Sequence, residues 1–219
     1  MSRMKPHPGR FIVLEGIDGS GTTTQAARLA AELERRGTPV CLTREPTPGP
    51  IGVLLRAALQ EKWVPEPGEA RRRVSWATFS LLFAADRLDH LDNVIVPALE
   101  AGRTVVSDRY DLSSLAYQSV TAPEGASVVP WIRELNSRAL RPDVTVVLDV
   151  PADVAEERRK ARGGPAEIFE VSDIQRRLAA VYARAEELVP GDRVVHVADG
   201  PQDAVFARVL SALLDGAGV

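Results

Sequence analysis

Residues 11–25, FIVLEGIDGSGTTTQ, decide the fold of this chain. The run FIVL is continuously apolar, which predicts a strand that is buried on both faces of a sheet. A glycine-rich turn follows the strand, and hydroxyl side chains then open a helical pattern. The spacing matches the phosphate-binding loop G-x-x-x-x-G-K-[ST], with Thr22 at the position of the lysine. The stretch therefore predicts a strand–loop–helix unit that holds phosphate groups.

Several features of this loop favour an anion as its ligand. Gly16, Gly19 and Gly21 lack a Cβ, so the backbone can approach a phosphate closely and turn its amides inward. The helix that begins near Thr22 adds unpaired N–H donors and the positive end of its dipole. Thr23 stands where the hydroxyl ligand of a nucleotide-bound Mg²⁺ is expected. The alternative is a glycine-rich turn without a ligand, which the flanking strand and helix disfavour.

Composition limits the class of protein. The chain has 219 residues, a length that favours one α/β domain over residues 1–219. Its net charge is −3. A net negative charge argues against non-specific nucleic-acid binding as the main function. The basic clusters at residues 71–73 and 158–162 are local, and a solvated helix face is the simple explanation for each.

The single cysteine, Cys41, lies in an apolar run and excludes a disulfide within the chain. We expect it to be a buried small hydrophobic residue in a reducing cytoplasm. The histidines at positions 7, 90 and 196 lack metal-ligand spacing. Neither a signal peptide nor an apolar run near the roughly 18 residues of a membrane span is visible. These features predict a cytoplasmic protein with no membrane partner.

Strand and helix patterns alternate along the chain. This order predicts an α/β fold with a five-stranded parallel sheet and helices on both faces. The strands are predicted at residues 11–15, 40–43, 104–107, 144–150 and 194–197. The helices are predicted at residues 22–36, 51–61, 70–90, 91–101 with a break near Pro97, 111–120, 128–140, 152–162, 173–188 and 201–214.

Ligands of such sheets bind beyond the carboxyl ends of the strands. The polar clusters at residues 16–23, 44–47 and 108–110 each follow a predicted strand, so they should converge there. Asp108 can orient Mg²⁺ or its waters, and Arg109 can hold a phosphate through two hydrogen bonds. The alternative for Asp108 and Arg109 is a structural pair that caps the next helix. Arg44 is a weaker candidate, because a solvated loop residue would look the same.

Two helical patterns carry groups that suit a nucleobase. Phe83 and Arg87 are four residues apart and share one helix face, which offers a stacking ring beside a donor. Taken alone, this pair is better explained as a core ring and a surface arginine. Ser114, Tyr117 and Gln118 offer a hydroxyl, a ring and an amide on one side of a second helix.

A basic run ends the helix at residues 152–162 and leads into a glycine–proline break. Arg158, Lys160 and Arg162 can belong to a lid, at residues 158–171, that closes over phosphates. Cations that favour a helix C-terminus are an equally good explanation.

Together these motifs resemble the thymidylate kinase family. The resemblance covers nearly the whole chain and rests on FIVLEGIDGSG, TREPTPGPIG, LLFAADR, VVSDRYDLSSLAYQ, RPDVTVVLDV and the basic run. It implies transfer of the γ-phosphate of ATP to dTMP, with Mg²⁺, in a cytoplasmic homodimer that binds no nucleic acid.

The resemblance also implies roles for particular residues. Catalysis is assigned to Asp18, Arg109, Arg158, Lys160 and Arg162. ATP binding is assigned to Gly16, Ile17, Asp18, Gly19, Ser20, Gly21, Thr22, Thr23 and Asp199. Binding of dTMP is assigned to Arg44, Glu45, Phe83 (stacking on thymine), Arg87 and Gln118 (base), Ser114 (base), Tyr117 (deoxyribose) and Arg109 (phosphate). Metal binding is assigned to Thr23, Asp108 and Asp18.

Two departures from the family pattern remove positive charge from the reaction centre. Thr22 replaces the loop lysine, and Ile168 stands where the lid motif usually has arginine. We expect a cation of the lid, either Lys160 or an arginine such as Arg162, to enter the space of the missing lysine. The alternatives are a slow or inactive nucleotide-binding paralogue and a deoxynucleoside kinase, whereas the absence of an N-K-x-D motif disfavours a GTPase.

Overall fold

The computed structural model describes residues 7–62, 74–163 and 168–214. The basic cluster at 71–73 and the connection predicted at 63–68 lie outside these ranges. The described chain contains a five-stranded sheet in the order β2-β3-β1-β4-β5, and all of its strand pairs are parallel. The predicted sheet is therefore confirmed. Its strands are β1 (Phe11–Glu15), β2 (Val40–Arg44), β3 (Thr104–Asp108), β4 (Val144–Asp149) and β5 (Val194–Ala198).

Alternate residues of β1 pack into two separate core clusters. Ile12 and Leu14 belong to a cluster that includes Leu29. Phe11 and Val13 belong to the other cluster, which includes Leu99. Because successive side chains of a strand point to opposite faces, helices cover both faces of the sheet. This explains why β1 is continuously apolar.

Most helices follow the sequence prediction within two or three residues at each end. They are α1 (Thr22–Arg35), α2 (Pro50–Leu59), α3 (Trp76–His90), α4 (Val96–Glu100), α5 (Asp111–Thr121), α6 (Val129–Leu135), α7 (Ala152–Arg162), α8 (Ser172–Tyr182), α9 (Ala185–Leu188) and α10 (Gln202–Leu214).

Four helical segments differ from the prediction. The helix predicted at 70–90 begins at Trp76, because Ser75 caps its N-terminus by accepting from the Thr78 amide at 3.1 Å; residues 70–73 lie outside the described ranges. The break expected near Pro97 is a π-helical turn, Leu91–Ile95, after which the chain continues as α4. A wider turn accommodates a proline, which cannot donate an i→i−4 hydrogen bond. The helix predicted at 128–140 ends at Leu135, where the Asn136 side chain donates to the Ile132 carbonyl at 2.8 Å. The helix predicted at 173–188 is divided into α8 and α9.

Cys41 is half-buried, so the prediction of a buried cysteine is wrong. It lies on β2, which is an edge strand of the sheet. An edge strand has a neighbour on one side only, and the side chains of β2 after Val40 are partly or fully exposed. Among the described residues, no helix has both the length and the apolar character that a membrane crossing requires.

The loop after β2 is held by a close backbone contact. The amide and hydroxyl of Thr47 donate to the buried Asp86 carboxylate at 2.8 and 2.6 Å. A Cβ on Gly52 of α2 would lie 2.0 Å from the Thr47 carbonyl oxygen. Only glycine lets α2 approach the loop this closely.

We therefore expect Gly52→Ala to displace the loop and to lower the free energy of unfolding by roughly 2 kcal/mol, as overpacking typically does. Urea denaturation of Gly52→Ala beside Val53→Ala measures this loss. Val53 is an exposed neighbour on the same helix, so its variant should stay within about 0.5 kcal/mol of wild type. Equal stability of the two variants would contradict the steric argument.

Candidate active site

The carboxyl ends of β1, β2 and β3 bring the predicted polar clusters together. In the sheet register Asp108 pairs with Leu14 on one side and with Arg44 on the other. The loop after β1 therefore lies beside the segments that follow β2 and β3. This convergence was predicted from the order of strands and motifs.

The loop between β1 and α1 has the backbone geometry of an anion site. Gly19 and Gly21 have φ values of +89° and +95°, which side chains with a Cβ rarely adopt. The first hydrogen bond of α1 joins the Gln25 amide to the Gly21 carbonyl at 2.9 Å. The amides of residues 22–24, in the first turn of α1, are therefore available to a ligand at the helix N-terminus, whereas those of Asp18 and Ser20 already donate to Gln175 Oε1 and to the Ile17 carbonyl.

A cleft of about 640 Å³ opens over this loop. Most of the residues predicted for ATP and for the lid line it, whereas Gly16, Ile17 and Lys160 do not. Ile17 is buried in the core. Lys160 is 72 % exposed and pairs with Glu156 at 2.7 Å, so the structure does not place it in the space of the missing lysine. The predicted residues that line the cleft are Asp18, Gly19, Ser20, Gly21, Thr22, Thr23, Arg44, Glu45, Arg109, Arg158, Arg162 and Asp199.

Thr23 and Asp108 form an oxygen-rich corner beside the cleft. The Thr23 hydroxyl donates to Asp108 Oδ2. The other carboxylate oxygen, Oδ1, is buried and has no hydrogen-bond partner in the described ranges. Mg²⁺ prefers such hard oxygen donors and is usually held by one or two protein groups together with substrate phosphates. The corner therefore fits Mg²⁺, although the described residues contain no cluster of three or more His, Cys, Asp or Glu side chains.

The carboxylate of Asp18 is already engaged by side chains. Its Oδ1 accepts from Arg109 at 2.6 Å, and its Oδ2 accepts from Gln175 at 2.9 Å. Gln175 is fully buried and also accepts from the Asp18 amide at 3.1 Å. Asp18 is thereby fixed beside Arg109, and its assignment as a metal ligand stays a prediction.

A second, smaller cavity of about 60 Å³ contains the residues predicted for the nucleobase. Rings of Phe83, Tyr117 and Phe169 line it. The amide of Gln118 is fully buried, and neither its nitrogen nor its oxygen has a hydrogen-bond partner among residues 7–62, 74–163 and 168–214. A buried amide without partners is costly, so its donor and acceptor suit a ligand that supplies both. Ser114 and Arg87 complete the predicted set in this cavity.

The two cavities adjoin at Arg109. Asp18, Glu45, Pro46 and Arg109 line both of them. The Arg109 guanidinium lies over the Tyr117 ring at 5.2 Å and donates to Ser113 Oγ at 3.2 Å. Burial opposes its charge, but Tyr117 and the Asp18 carboxylate outweigh this effect and raise the pKa of Arg109 well above the ordinary value. A permanent cation thus stands at the junction.

The backbone of Arg109 is left-handed, with a φ of +72°. Its carbonyl accepts a hydrogen bond from Ser107 Oγ at 2.7 Å, and its amide donates to the Leu14 carbonyl at 2.9 Å. Non-glycine residues in this conformation are uncommon and often mark functional sites. The strained turn directs the side chain to the junction.

Arg87 is more enclosed than the sequence indicates. Its guanidinium donates to Glu45 at 2.6 Å, to the Tyr110 carbonyl at 3.0 Å and to Ser114 Oγ at 3.1 Å. Only its Nε is without a partner among the described residues. Arg87 therefore holds the loop after β2 against α5, and its role as a donor to a base stays a prediction.

Glu15, at the end of β1, was not predicted as a site residue. Its carboxyl is fully buried and accepts from the Tyr110 and Ser113 amides at 2.9 and 3.1 Å. Its other oxygen lies 2.6 Å from Ser113 Oγ and 3.0 Å from the Tyr182 hydroxyl. Burial raises the pKa of Glu15 to about 7, against the opposing effect of Arg109.

This shift predicts a pH-dependent stability. Between pH 4.5 and 7 the folded protein holds a proton at Glu15 that the unfolded chain releases. The resulting stabilisation is complete below pH 4.5 and is lost as the pH rises through 7, a change of about 3 kcal/mol. Urea denaturation at pH 5 and pH 8 should show this loss in wild type and not in Glu15→Gln. Other titrating groups are common to both proteins, so equal pH slopes would contradict the shift at Glu15.

Three residues at the site were missed by sequence reasoning. Arg56 of α2 lines the cleft and donates to the Pro46 carbonyl at 2.8 Å, but nothing in its spacing marks it. Gln175 reaches the loop from a helix that is distant in sequence. Arg159 lies within the predicted basic run, and its position four residues after the buried Ala155 was a signal for an inward-facing side chain.

Comparison with known proteins agrees with this geometry. A profile of the family described as "Thymidylate kinase" matches residues 14–209. The chain is 40 % identical over 195 residues to a "Probable thymidylate kinase" of Pyrococcus horikoshii, which covers 89 % of this chain and 91 % of that protein. It is 38 % identical over 212 residues to a "Thymidylate kinase" of Xanthomonas oryzae pv. oryzae, which covers 94 % and 86 % respectively. The loop, the two adjoining cavities and these similarities identify the chain as a member of the thymidylate kinase family.

Proposed function

We propose that this protein transfers the γ-phosphate of ATP to dTMP and so forms dTDP. The observation that carries the proposal is the position of Arg109 at the junction of the two cavities. The large cleft has the anion-binding loop that suits a triphosphate, and the small cavity has rings and an amide that suit a base. A monophosphate on a nucleoside in the small cavity would then meet the ATP phosphates at Arg109.

The reaction needs little acid–base help. The second pKa of a phosphate monoester is about 6, so the attacking oxygen is already anionic near neutral pH. The protein must hold two anions in line and neutralise the charge that develops between them. Arg109 serves the acceptor phosphate, and the loop amides serve the donor. Thr23 and Asp108 would hold Mg²⁺, which supplies charge neutralisation at the ATP phosphates when bound.

The small cavity provides selection of the base. Phe83 offers a ring for stacking, and the unpartnered amide of Gln118 can both donate to and accept from one edge of thymine. Tyr117 lies where a ring would contact the deoxyribose. At about 60 Å³ the cavity is far below the roughly 300 Å³ of an ordinary ligand site, so binding of dTMP requires it to widen. Phe169, which lines the cavity and packs against Tyr117 with ring centroids 5.6 Å apart, is one of the rings whose displacement would widen it.

Membership of the family supports an inference about localisation, oligomeric state and domain organisation. We infer a cytoplasmic homodimer in which residues 1–219 form one kinase domain with a lid at 158–171. Asp199 supports the adenine side of the cleft and pairs with Arg158 of α7 at 2.9 Å.

A steady-state screen of phosphate acceptors with Mg·ATP tests the proposal. We expect ADP release with dTMP, less with dUMP, and none above background with thymidine, which lacks the phosphate that Arg109 would hold. Phosphorylation of thymidine instead of dTMP would contradict the proposal and indicate a deoxynucleoside kinase. Tight binding of Mg·ATP with no turnover of any acceptor would also contradict it and indicate an inactive paralogue.

A further inference from the structure

Arginines supply the positive charge of the ATP cleft. Thr22, at the lysine position of the loop, is buried and contributes no charge. Among the described residues that line the cleft there is no lysine. The lining arginines are Arg44, Arg56, Arg109, Arg158, Arg159 and Arg162.

Most of these arginines already have partners, or lie in solvent. Arg44 is exposed at the rim of the cleft. Four of the others bind oxygen atoms of the protein. These contacts are Arg109 with Asp18 at 2.6 Å, Arg158 with Asp199 at 2.9 Å, Arg162 with Glu170 at 3.4 Å and Arg56 with the Pro46 carbonyl at 2.8 Å.

Arg159 differs from all of them. It is only 8 % exposed, and within the described ranges it has no ion pair with a carboxylate. Its Nη1 donates to the carbonyl of Asp18 in the phosphate-binding loop. Its Nη2 is buried and has no hydrogen-bond partner within the part of the chain that the structure describes. A guanidinium keeps its charge in proteins, and a buried charge without a counter-ion is costly, so this position suits an anionic ligand.

The packing of α7 explains how the side chain is held there. A Cβ at Gly19 would lie 2.4 Å from the Ala155 carbonyl oxygen and 3.1 Å from Arg159 Cγ. The helix and the stem of Arg159 therefore rest directly on the loop at its glycine. This contact fixes the guanidinium at the loop before any ligand binds.

We propose that Arg159 replaces the missing loop lysine as the fixed cation for the phosphates of ATP. The proposal rests on the kinase function proposed above, and among the cations of the basic run it selects Arg159 over Lys160 and Arg162. A forked guanidinium on α7 can hold two phosphate oxygens, where an ammonium group acts as a point charge. The cation thus comes from the lid helix instead of from α1.

Calorimetric binding of Mg·ATP tests this directly. We expect Arg159→Gln, which keeps much of the stem that packs on Gly19, to raise the Kd for Mg·ATP at least about tenfold. The expected fall in kcat is about a hundredfold, as for loss of one transition-state donor. The control is Arg176→Gln, because Arg176 is an exposed residue of α8 that pairs with Asp173 and lies outside the cleft. An unchanged Kd for Arg159→Gln would overturn the proposal.

A double-mutant cycle separates replacement of the lysine from a general structural effect. Thr22→Lys should raise kcat at least about tenfold in the Arg159→Gln background and less than about threefold in wild type, because the two cations serve the same phosphates. Equal gains in both backgrounds would overturn the proposal. If Arg159→Gln does not fold, Arg159→Lys replaces it in the binding assay, and a Kd equal to that of wild type would count against the forked contact.

The measured Kd for Mg·ATP allows the role of Arg159 to be tested separately from the proposed kinase function. If wild type binds Mg·ATP but does not phosphorylate dTMP, the proposed function fails, while the Kd of Arg159→Gln still decides the role of Arg159. If dTMP is phosphorylated and Arg159→Gln binds and reacts as wild type does, the proposed function stands and the role of Arg159 is refuted.

Discussion

Replacing Arg109 with glutamine is expected to lower kcat/KM for dTMP about a thousandfold. Arg109 is the cation at the junction of the two cavities, where the acceptor phosphate must lie. At an effective dielectric constant of about 20, a unit charge about 4 Å away contributes on the order of 4 kcal/mol. If this interaction acts fully in the transition state, its loss corresponds to roughly three powers of ten in rate. Steady-state kinetics with dTMP varied at saturating Mg·ATP measure the effect.

The Arg109→Gln variant removes the charge at this position and leaves the backbone strain unchanged. Glutamine and arginine incur a similar cost at a φ of +72°, so the strained turn is not relieved by the substitution. Arg109→Lys should recover part of the rate, because it restores charge without the forked contact. Arg36→Gln is the matched control, since Arg36 is exposed, follows α1 directly and pairs with Glu32 of that helix, outside the cleft. A value for Arg109→Gln within about threefold of the control would refute the assignment.

The fold was predictable because hydrophobic periodicity, and the order in which strand and helix patterns follow one another along the chain, can be seen in the sequence. The unbroken run FIVL identifies a buried strand, and the strand ends then determine which loops meet. Helix ends were less predictable where one side chain decides them. The hydrogen bond of Asn136 to the Ile132 carbonyl ends α6 early, and no periodic pattern encodes it.

The site was predictable where a motif fixes both residue type and position. Asp108 and Arg109 lie at the end of β3, Thr23 lies in the first turn of α1, and all three reach the cleft or its border. The motif said less about side chains that reach the site from elsewhere. Gln175 holds Asp18 across 157 positions of sequence, and such a contact depends on how α8 packs on the sheet.

The basic run of α7 also contains a residue whose position at the site depends on packing and could not be predicted from residue type. Sequence reasoning assigns Arg158, Lys160 and Arg162 to the site and leaves out Arg159, which lies between them. The helical period separates them, because Arg159 shares a face with the buried Ala155 while Lys160 points to solvent. Which cation reaches the loop is therefore a property of helix orientation, and composition does not reveal it.

The Arg87–Glu45 pair provides the largest expected effect on stability. Both side chains are almost fully buried, and their charged atoms are 2.6 Å apart. Arg87→Met would leave the Glu45 carboxylate buried with His90, at 3.2 Å, as its remaining ionisable partner. Breaking a buried pair from one side typically costs about 3–5 kcal/mol. We therefore expect a loss of that size in urea denaturation, with a melting temperature lower by roughly 10 °C.

The double variant Arg87→Met/Glu45→Gln tests the cause. If the loss arises from an uncompensated buried charge, removing the carboxylate as well should restore part of the stability, so that the double variant loses less than the sum of the single ones. Additive losses would show that Arg87 acts mainly through its bonds to the Tyr110 carbonyl and Ser114. Such additivity would remove the argument that charge pairing fixes the loop after β2 beside the phosphate site.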